Sequence, residues 1–459
     1  MKRVMGKTPL AVAVGLIVAV SAQAKVSASD AERLGKDLTC VGAIKAGNKE
    51  GTIPEFTGKW LGAPPGVRHN PHSGEHPVDI YADEKPLFVI TAANFEQYAD
   101  KLSPGQKAMF QKYPKTMQIP VYKGHRDFRY SDEVCAAIKK NATTAEMVTD
   151  GQGIKSLGGA ISFPIPKNGL EAFWNTMLPT RAYTEENVAD SANVLSDGSV
   201  TFGRNELRYL APPNNPAEVG KPVGDVTAYT ITKVQLPERE KGSVTITSDP
   251  ADYGTKKRLA WQYDPGTRRV RQLPEFGFDQ PLPGTGGKMT VDSDRLFNGS
   301  PERYNWKLVG KKEMYIPANA LRLVQPTVKY KDLLTPHHPN PEFLRYELRR
   351  VWVIEGTLKE GYRHIYGKRV MYADEDTGQA VLSDMYDARG QLWQHASVNM
   401  YYSYDLNAWH AGTSFYHDLN ANSYLAYTLF QERPKGPVLN RGGMTPSMFT
   451  PEAARNAGN

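Results

Sequence analysis

The sequence predicts a mainly β protein (class α+β) in which one large antiparallel sheet follows a helical N-terminal part. From about Ser191 onward, apolar residues recur at every second position between turn signals such as Pro265-Gly266, as is typical of strands with one buried face. The chain has 40 Gly and 33 Pro without a fixed period, which indicates many turns. Because no Gly/Ser-rich linker separates the two parts, we expect the helices to cover a sheet edge or mouth.

The composition is that of a folded protein. The chain has 459 residues, of which 40% are hydrophobic and 23% charged, so disorder as the main state is excluded. We expect a signal peptide at 1–24, a helical or irregular part at 25–190, the sheet at 191–432 and a C-terminal extension at 433–459. Residues 25–459 are expected to form one structural unit. The net charge of +7 is scattered along the chain, which argues against nucleic-acid binding.

The N-terminus has the pattern of an export signal. Basic residues Lys2 and Arg3 precede an apolar run at 10–20, and a small-x-small site predicts cleavage between Ala24 and Lys25. The apolar run is about half the ~20 residues that a membrane-spanning helix needs. We therefore expect an exported protein with no membrane span in the mature chain.

The chain has two cysteines, Cys40 and Cys135. In an oxidising compartment such a pair is more often bridged than free. We expect a disulfide, with two buried thiols as the alternative that the sequence leaves open.

Helix signals come first along the chain. Thr91 precedes a helical pattern, Ser103 with Pro104 in the next position starts a second helix, and Ser131 caps a third. The predicted helices lie at 92–102, at 104 to about 114, after 131, and at 169–177.

Strand signals follow. The predicted strands lie at 226–233, 244–248, 259–263, 347–358, 369–372 and 380–386, with apolar residues on one face and polar residues on the other.

The search for catalytic and metal sites finds no recognised motif. There is no nucleophile elbow, zinc-protease motif, phosphate loop or dinucleotide fingerprint. His69, His72 and His76 are spaced so that a loop can gather them around zinc, with Asp79 or Asp83 as a carboxylate ligand. A solvated polar loop is the preferred interpretation. We therefore predict no enzyme activity, no metal and no cofactor.

Aromatic and apolar residues of the sheet have two interpretations that the sequence does not separate. They fill the core, or they line a concave apolar groove for a lipid-like ligand. The predicted ligand-binding residues are Trp261, Tyr263, Trp352, Ile354, Met371 and Tyr386.

Several longer blocks carry a family resemblance. They are GTIPEFTG at 51–58, FPIP at 163–166, WQYDP at 261–265 followed by RRVR at 268–271, FNGSP at 297–301 and HIYGKR at 364–369. These blocks are similar to those of an exported proteobacterial family known as domain of unknown function 1329, and the resemblance covers nearly the whole mature chain. It defines no catalytic residues.

The resemblance implies a fold and a place of action. The family resembles the periplasmic lipoprotein-carrier (LolA/LolB-like) fold, a strongly curved half-barrel with helices at its mouth or concave face. It is associated with an outer-membrane barrel family and with resistance-nodulation-type exporters. The leading hypothesis is therefore a periplasmic carrier for a lipid or other hydrophobic molecule. An interaction module that docks on a barrel or exporter, and an enzyme acting on an exported hydrophobic compound, are the alternatives.

Overall fold

A computed structural model describes residues 26–458, so the predicted cleavage site between Ala24 and Lys25 lies outside the described residues. Within this range the α-helices are α1 (Ala28–Ala31), α2 (Pro104–Lys112), α3 (Asp132–Thr144), α4 (Gly169–Met177), α5 (Tyr330–Leu333) and α6 (Pro451–Gly458). The first predicted helix is a 3-10 helix at Phe95–Lys101.

Local capping explains where the longer N-terminal helices begin. The backbone N–H of Gln106 donates to the Ser103 hydroxyl, and the Gln106 side chain accepts from the Ser103 N–H, which is a capping box. Ser131 caps α3 and Asn168 caps α4 in the same way with one side-chain acceptor each. Three of the four predicted helices therefore begin where the sequence signals place them.

The strands form one large sheet and a separate hairpin. Their bounds are β1 (Phe88–Thr91), β2 (Gln118–Val121), β3 (Glu146–Val148), β4 (Gly153–Lys155), β5 (Thr184–Val194), β6 (Val200–Leu210), β7 (Val226–Leu236), β8 (Val244–Pro250), β9 (Leu259–Asp264), β10 (Arg269–Gln272), β11 (Tyr304–Pro317), β12 (Tyr346–Leu358), β13 (Lys368–Asp374), β14 (Ala380–Tyr386), β15 (Leu392–Ser403), β16 (Ala408–Asp418), β17 (Ser423–Leu429) and β18 (Val438–Leu439). β3 and β4 form the separate hairpin.

The main sheet is an open antiparallel meander. Its order runs β11-β12-β13-β14-β15-β16-β17-β5-β6-β7-β8-β9-β10, while the antiparallel pair of β1 and β2 contacts β12 through one parallel bridge and β18 pairs with β5. The two end strands, β10 and β11, are not paired with each other. This confirms the predicted fold class, a mainly β protein built on one open, half-barrel sheet.

The chain between the two end strands, residues 273–303, lies across one face of the sheet, and we call it the crossing segment. It contacts both arms: the Ser191 hydroxyl of β5 donates to the Gly284 carbonyl (3.2 Å), and Arg369 of β13 donates to the Asp292 carboxylate (2.7 Å). At its start, the Leu273 N–H donates to the Ala260 carbonyl of β9. Because one short segment reaches both arms, the sheet curves around it, and this face is the inner face.

The inner face is filled unevenly. In the arm made by β11 to β15, α4 packs on β11 and β12 and forms one apolar core with the crossing segment. The Phe173 ring lies 4.5 Å from Trp306 and 5.0 Å from Phe297, measured between ring centroids. The other arm, made by β5 to β10, has no helix on its inner face among these contacts and is covered by the crossing segment alone.

The outer face carries other covering elements. The 3-10 helix at Phe95–Lys101, α2 and α5 contribute to a core cluster with the outer side chains of β5, β16 and β17. At the other arm, α6 packs on β8, β9 and β10. The predicted position of helices at the concave face therefore applies to α4, whereas α2 lies on the opposite face.

A buried charge network joins the N-terminal part to the sheet. The Glu347 carboxylate of β12 is fully buried and accepts from Arg345 (3.0 Å), Arg349 (3.0 Å) and Asn319 (2.9 Å). The same Arg349 donates to Asp376, and Arg126 also donates to that carboxylate. Since Arg126 lies in the N-terminal part, the network holds that part against the sheet.

Two further expectations can be compared with the structure. The predicted disulfide is confirmed: Cys40 and Cys135 are bonded, with their Cα atoms 5.2 Å apart. The expected boundary at residue 190 falls inside β5, and β1 and β2 of the N-terminal part join the sheet.

Within residues 26–458, no helix combines the length and the apolar character needed to cross a bilayer.

Candidate functional site

The space that the crossing segment leaves open on the β5 to β8 arm is a cavity of about 170 Å3, which we call the inner cavity. It lies between the inner face of these strands, the crossing segment and residues 411–414 of β16 with 427–428 of β17. The side chains that line it from the strands include Glu185, Asn187, Asn205, Thr230, Thr232, Thr245 and Thr247. From the crossing segment they include Phe276, Leu282, Val291, Asp294 and Arg295.

Strand alternation places polar side chains in this cavity. In β7, Thr230 and Thr232 line it, while Ile231 between them is buried on the outer face. β8 repeats this arrangement around Ile246, which packs in the same outer cluster as α6. Since successive strand residues point to opposite faces, a Thr-Ile-Thr pattern gives an apolar outer face and a hydroxyl-lined inner face.

A buried ion pair fixes the wall of the cavity. Arg369 of β13 is fully buried and donates to Asp292 of the crossing segment (2.7 Å), and His364 is hydrogen-bonded to the other oxygen of the same carboxylate (2.9 Å). Burial raises the pKa of Asp292, but the Arg369 guanidinium and the His364 hydrogen bond outweigh it, so this pKa lies well below its ordinary value. The carboxylate is therefore ionised and anchors the crossing segment.

Three residues that line the cavity have a buried acceptor oxygen without a hydrogen-bond partner. These are Oε2 of Glu185 and Oδ1 of both Asn187 and Asn205. Glu185 is 2% exposed, and its nearest cationic atom is Nη2 of Arg295 at 3.7 Å. A buried acceptor without a partner is costly, since it has lost its hydrogen bonds to water. The wall therefore presents unused acceptors to whatever fills the cavity.

Charged groups of both signs surround these acceptors. Burial raises the pKa of the Asp294 carboxyl, although Arg295 beside it acts in the opposite direction. Arg258 at the other end is paired with Asp249 and donates to Asn298 of the crossing segment (2.9 Å). The cavity wall thus combines polar and charged groups with apolar side chains such as Leu207 and Phe276, and it carries more carboxyl groups than guanidinium groups.

A second opening adjoins the inner cavity, because Arg258 and Phe276 line both. This smaller space, about 120 Å3, is called the mouth here, and Tyr253 and Phe278 also line it. The Arg303 guanidinium lies over the Phe278 ring at 3.6 Å, a cation–π contact. The mouth presents aromatic rings where the inner cavity presents hydroxyls and amides.

A separate groove of about 890 Å3 lies on the outer side of the sheet, between β2 and the chain that follows β11. Its apolar lining includes Val78, Val89, Pro120, Pro326, Val328 and Phe343. This outer groove is open to solvent and shares no lining residue with the inner cavity.

Of the six predicted ligand-binding residues, two lie on the face opposite the inner cavity. Trp261 is paired with Ile246 and Tyr263 with Val244, and paired residues of neighbouring strands share a face. Tyr263 is buried in the outer cluster with α6. The prediction assumed that the face of β9 with Trp261 and Tyr263 is the concave one. The concave face is instead the opposite one, which carries the threonines of β7 and β8.

The other four lie in or beside the filled arm. Ile354 and Met371 are paired, fully buried, and part of the core around α4. Trp352 and Tyr386 are half-buried, and each lies beside a lysine, Lys311 or Lys368. None of the six lines the inner cavity, the mouth or the outer groove, and their contact with a ligand stays a prediction.

The three histidines considered for zinc have protein partners, and the rings of His69 and His72 both lie near Asp405, at 2.8 and 3.7 Å. His69 is hydrogen-bonded to Asp405 (2.8 Å), and His72 is bonded to the Leu439 carbonyl (2.7 Å). His76 is bonded to the Val324 carbonyl (3.0 Å). In the range 26–458, no cluster of three His, Cys, Asp or Glu side chains is arranged to hold a metal ion.

Comparison with known proteins gives a family match. A family model described as "Protein of unknown function (DUF1329)" matches residues 89–455. An uncharacterized protein of Pseudomonas aeruginosa is 40% identical over 455 residues, which cover 96% of each chain.

Three solved structures are similar at low sequence identity. A putative outer membrane lipoprotein-sorting protein domain from Vibrio parahaemolyticus has a TM-score of 0.40 at 13% identity, over 59% of this chain and 91% of that chain. A DUF1329 family protein from Desulfovibrio piger has a TM-score of 0.40 at 13% identity, over 60% and 92%. A LolA superfamily protein from Nitrosomonas europaea has a TM-score of 0.37 at 12% identity, over 62% and 98%.

Proposed function

Because this chain belongs to the DUF1329 family, whose description states no function, we propose its role from its own cavity: a periplasmic binding protein that carries an amphiphilic, lipid-like molecule. The observation that supports this is the junction of the inner cavity with the mouth. The inner cavity brings hydroxyl, amide and carboxyl groups together, and the mouth places the rings of Tyr253, Phe276 and Phe278 among charged side chains. An amphiphile matches this order, with its polar end inside and its apolar part at the mouth.

Size favours an amphiphile over a whole lipid buried in the hollow. The inner cavity has about 170 Å3, below the ~300 Å3 at which sites for drug-sized ligands begin. A compact polar head group fits this space, while a long acyl chain does not. The acyl chain of the ligand would instead pass Phe276 and Phe278, where each buried CH2 contributes about 0.8 kcal/mol to binding.

The crossing segment gives such a protein a means of retention. It forms one wall of the inner cavity and part of the mouth, and the Asp292–Arg369 pair ties it to β13. Release then requires the segment to move or the ligand to leave through the mouth. The proposed role includes no chemical change of the ligand. Delivery to an outer-membrane barrel or a resistance-nodulation-type exporter is the extension of this proposal that the family resemblance suggests.

The test is native mass spectrometry of protein purified gently from the periplasm, followed by organic extraction. We expect a stoichiometric amphiphile on the wild-type protein and none on Thr247→Trp, which fills the inner cavity. Ser248→Trp is the matched control, because the neighbouring residue points to the outer face. Far-UV circular dichroism checks that both variants fold.

Two results would count against the proposal. An apo mass for the wild-type protein would favour the alternative that the chain is an interaction module, for which the outer groove is the apolar surface to test. Equal ligand retention by folded Thr247→Trp would place the ligand outside the inner cavity.

A further inference from the structure

The strongest unexplained feature of the molecule is the set of unpartnered acceptors in the inner cavity. Glu185 is the most buried of them. No hydrogen bond to its carboxylate occurs among the described contacts, and Nη2 of Arg295 at 3.7 Å and Nε2 of His410 at 4.0 Å are its nearest basic atoms. Both distances exceed those of a hydrogen bond. The carboxylate is therefore held in place by charge and lacks a donor.

Two amide oxygens extend this acceptor surface along the neighbouring strands. Asn187 of β5 lies opposite Leu207 of β6, and Asn205 lies opposite Ala189. Since these residues alternate at every second position, both asparagines point to the inner face with Glu185. Their Oδ1 atoms are buried and without partners.

Four threonine hydroxyls lie beside these acceptors on the same inner face of the sheet. Thr230 is paired with Thr247, and Thr232 with Thr245, so the hydroxyls form a two-by-two patch on β7 and β8. A hydroxyl can donate one hydrogen bond and accept two. The patch can thus bind either a donor or an acceptor, in contrast to the carboxylate and amide oxygens of β5 and β6.

These observations discriminate between kinds of polar group. A phosphate or sulfate brings only acceptors and a negative charge towards Glu185 and Asp294. A quaternary ammonium brings positive charge but no donor, so the amide oxygens of Asn187 and Asn205 stay unpaired. A group with several hydroxyls supplies donors to the carboxylate and amides, and acceptors to the threonines and Arg295.

We infer that the inner cavity recognises a polyhydroxylated, sugar-like group at the polar end of the amphiphile. This inference rests on the proposed function and specifies its ligand class. Glu185, Asn187 and Asn205 accept hydrogen bonds from the ligand hydroxyls, and the four threonines complete the contact. The apolar part of the same ligand leaves past Phe276.

The test compares two amphiphiles that share a ten-carbon tail. The probes are decyl glucoside, whose head is a hexose, and decyldimethylamine N-oxide, whose head has no donor at neutral pH. Isothermal titration calorimetry below the critical micelle concentration measures their affinities for the full mature protein. We expect decyl glucoside to bind at least tenfold more tightly, and we expect Asn187→Ala combined with Asn205→Ala to remove this preference while tail-dependent binding remains.

Controls separate the possible results. Asn420→Ala, in an exposed turn, should keep the preference for decyl glucoside. If the double variant does not fold, Glu185→Gln takes its place as the test: it preserves the shape of the side chain and should reduce this preference. Equal binding of both probes overturns this inference and leaves the proposed function standing. Binding of neither probe overturns both. A preference that survives in the folded double variant also overturns the assignment to these residues.

Discussion

Removal of the Asp292 carboxylate should loosen the wall of the inner cavity. Asp292 is 1% exposed, and its partner Arg369 is fully buried and held by no other carboxylate among the described contacts. Asp292→Ala therefore leaves a guanidinium buried without its counter-charge. Breaking a buried pair by removing one partner costs about 3–5 kcal/mol. This magnitude corresponds to about two to three and a half orders of magnitude in a local opening equilibrium, at ~1.4 kcal/mol per factor of ten.

Hydrogen exchange measured by mass spectrometry locates the effect. We expect peptides from residues 273–303 to exchange much faster in Asp292→Ala, while peptides from β15 and β16 keep most of their protection. Urea denaturation gives the accompanying loss of global stability. Asp292→Asn, which keeps the shape and one acceptor oxygen, should have a smaller effect.

The matched control lies in the same segment. Asp279 faces Arg303 at 3.5 Å, and both side chains are partly exposed, so Asp279→Ala should change stability by about 0–1 kcal/mol. If Asp292→Ala and Asp279→Ala leave the exchange of the crossing segment equally unchanged, the ion pair is not what anchors it. Equal acceleration throughout the molecule would likewise refute a local anchor.

Three further predictions concern the whole fold. Glu347→Ala should lower the free energy of unfolding by about 1–3 kcal/mol, because it removes the buried acceptor that Arg345 and Arg349 share, while Glu84 and Asp376 still pair with these arginines; an unchanged urea midpoint would contradict this. Cys40→Ser combined with Cys135→Ser should lower the free energy of unfolding by about 2–4 kcal/mol in the same assay, since the bridge closes a loop of 95 residues. A double variant that is as stable as the oxidised wild type would contradict this prediction. Burial raises the pKa of Glu347, but Arg349 and Arg345 outweigh it and lower that pKa below 4.5. A lowered folded-state pKa gives stability that is complete above the unfolded value and is lost as pH falls through the folded value. The urea midpoint of the wild type should therefore decrease as the pH is lowered below about 4.5, and that of Glu347→Gln should decrease less steeply. If the two midpoints change in parallel with pH, Glu347 is not a source of the pH dependence.

The sequence predicted where helices and strands lie better than which face of the sheet is concave. Local signals were sufficient for α4, which begins after the Asn168 cap and spans the predicted 169–177, and for β14, which spans the predicted 380–386. The interior of the hollow was a different problem. The alternation in β9 correctly groups Trp261 with Tyr263, but it does not say which face of a sheet is concave. That depends on the crossing segment and on α6, which are distant in sequence from the strands that they cover.

The Thr-Ile-Thr pattern of two strands indicates the polar inner face, but the prediction of the ligand site used the aromatic and apolar residues instead. Thr-Ile-Thr occurs at 230–232 and again at 245–247, and it predicts two neighbouring strands with one apolar and one hydroxyl-bearing face. If the apolar face is the covered one, the other face must meet water, a partner or a ligand. The acceptors of β5 and β6 could not be foreseen in this way, because an unpartnered oxygen is recognised only when its surroundings are known.

The inner cavity exists because the two arms of one sheet are covered differently. On the β11 to β15 arm, large apolar side chains pack with α4 and the crossing segment into one core. On the β5 to β8 arm, the inner side chains are mostly Thr, Asn and Glu, which cannot form an apolar core with a covering helix without losing their hydrogen bonds to water. The crossing segment covers this arm only in part, and the same polar side chains that prevent a core are those that a hydroxyl-bearing ligand would satisfy. Replacing all four threonines by valine should therefore stabilise the fold or leave it unchanged while abolishing the preference for decyl glucoside; a retained preference would show that the cavity is incidental to packing and that its polar wall does not recognise the ligand.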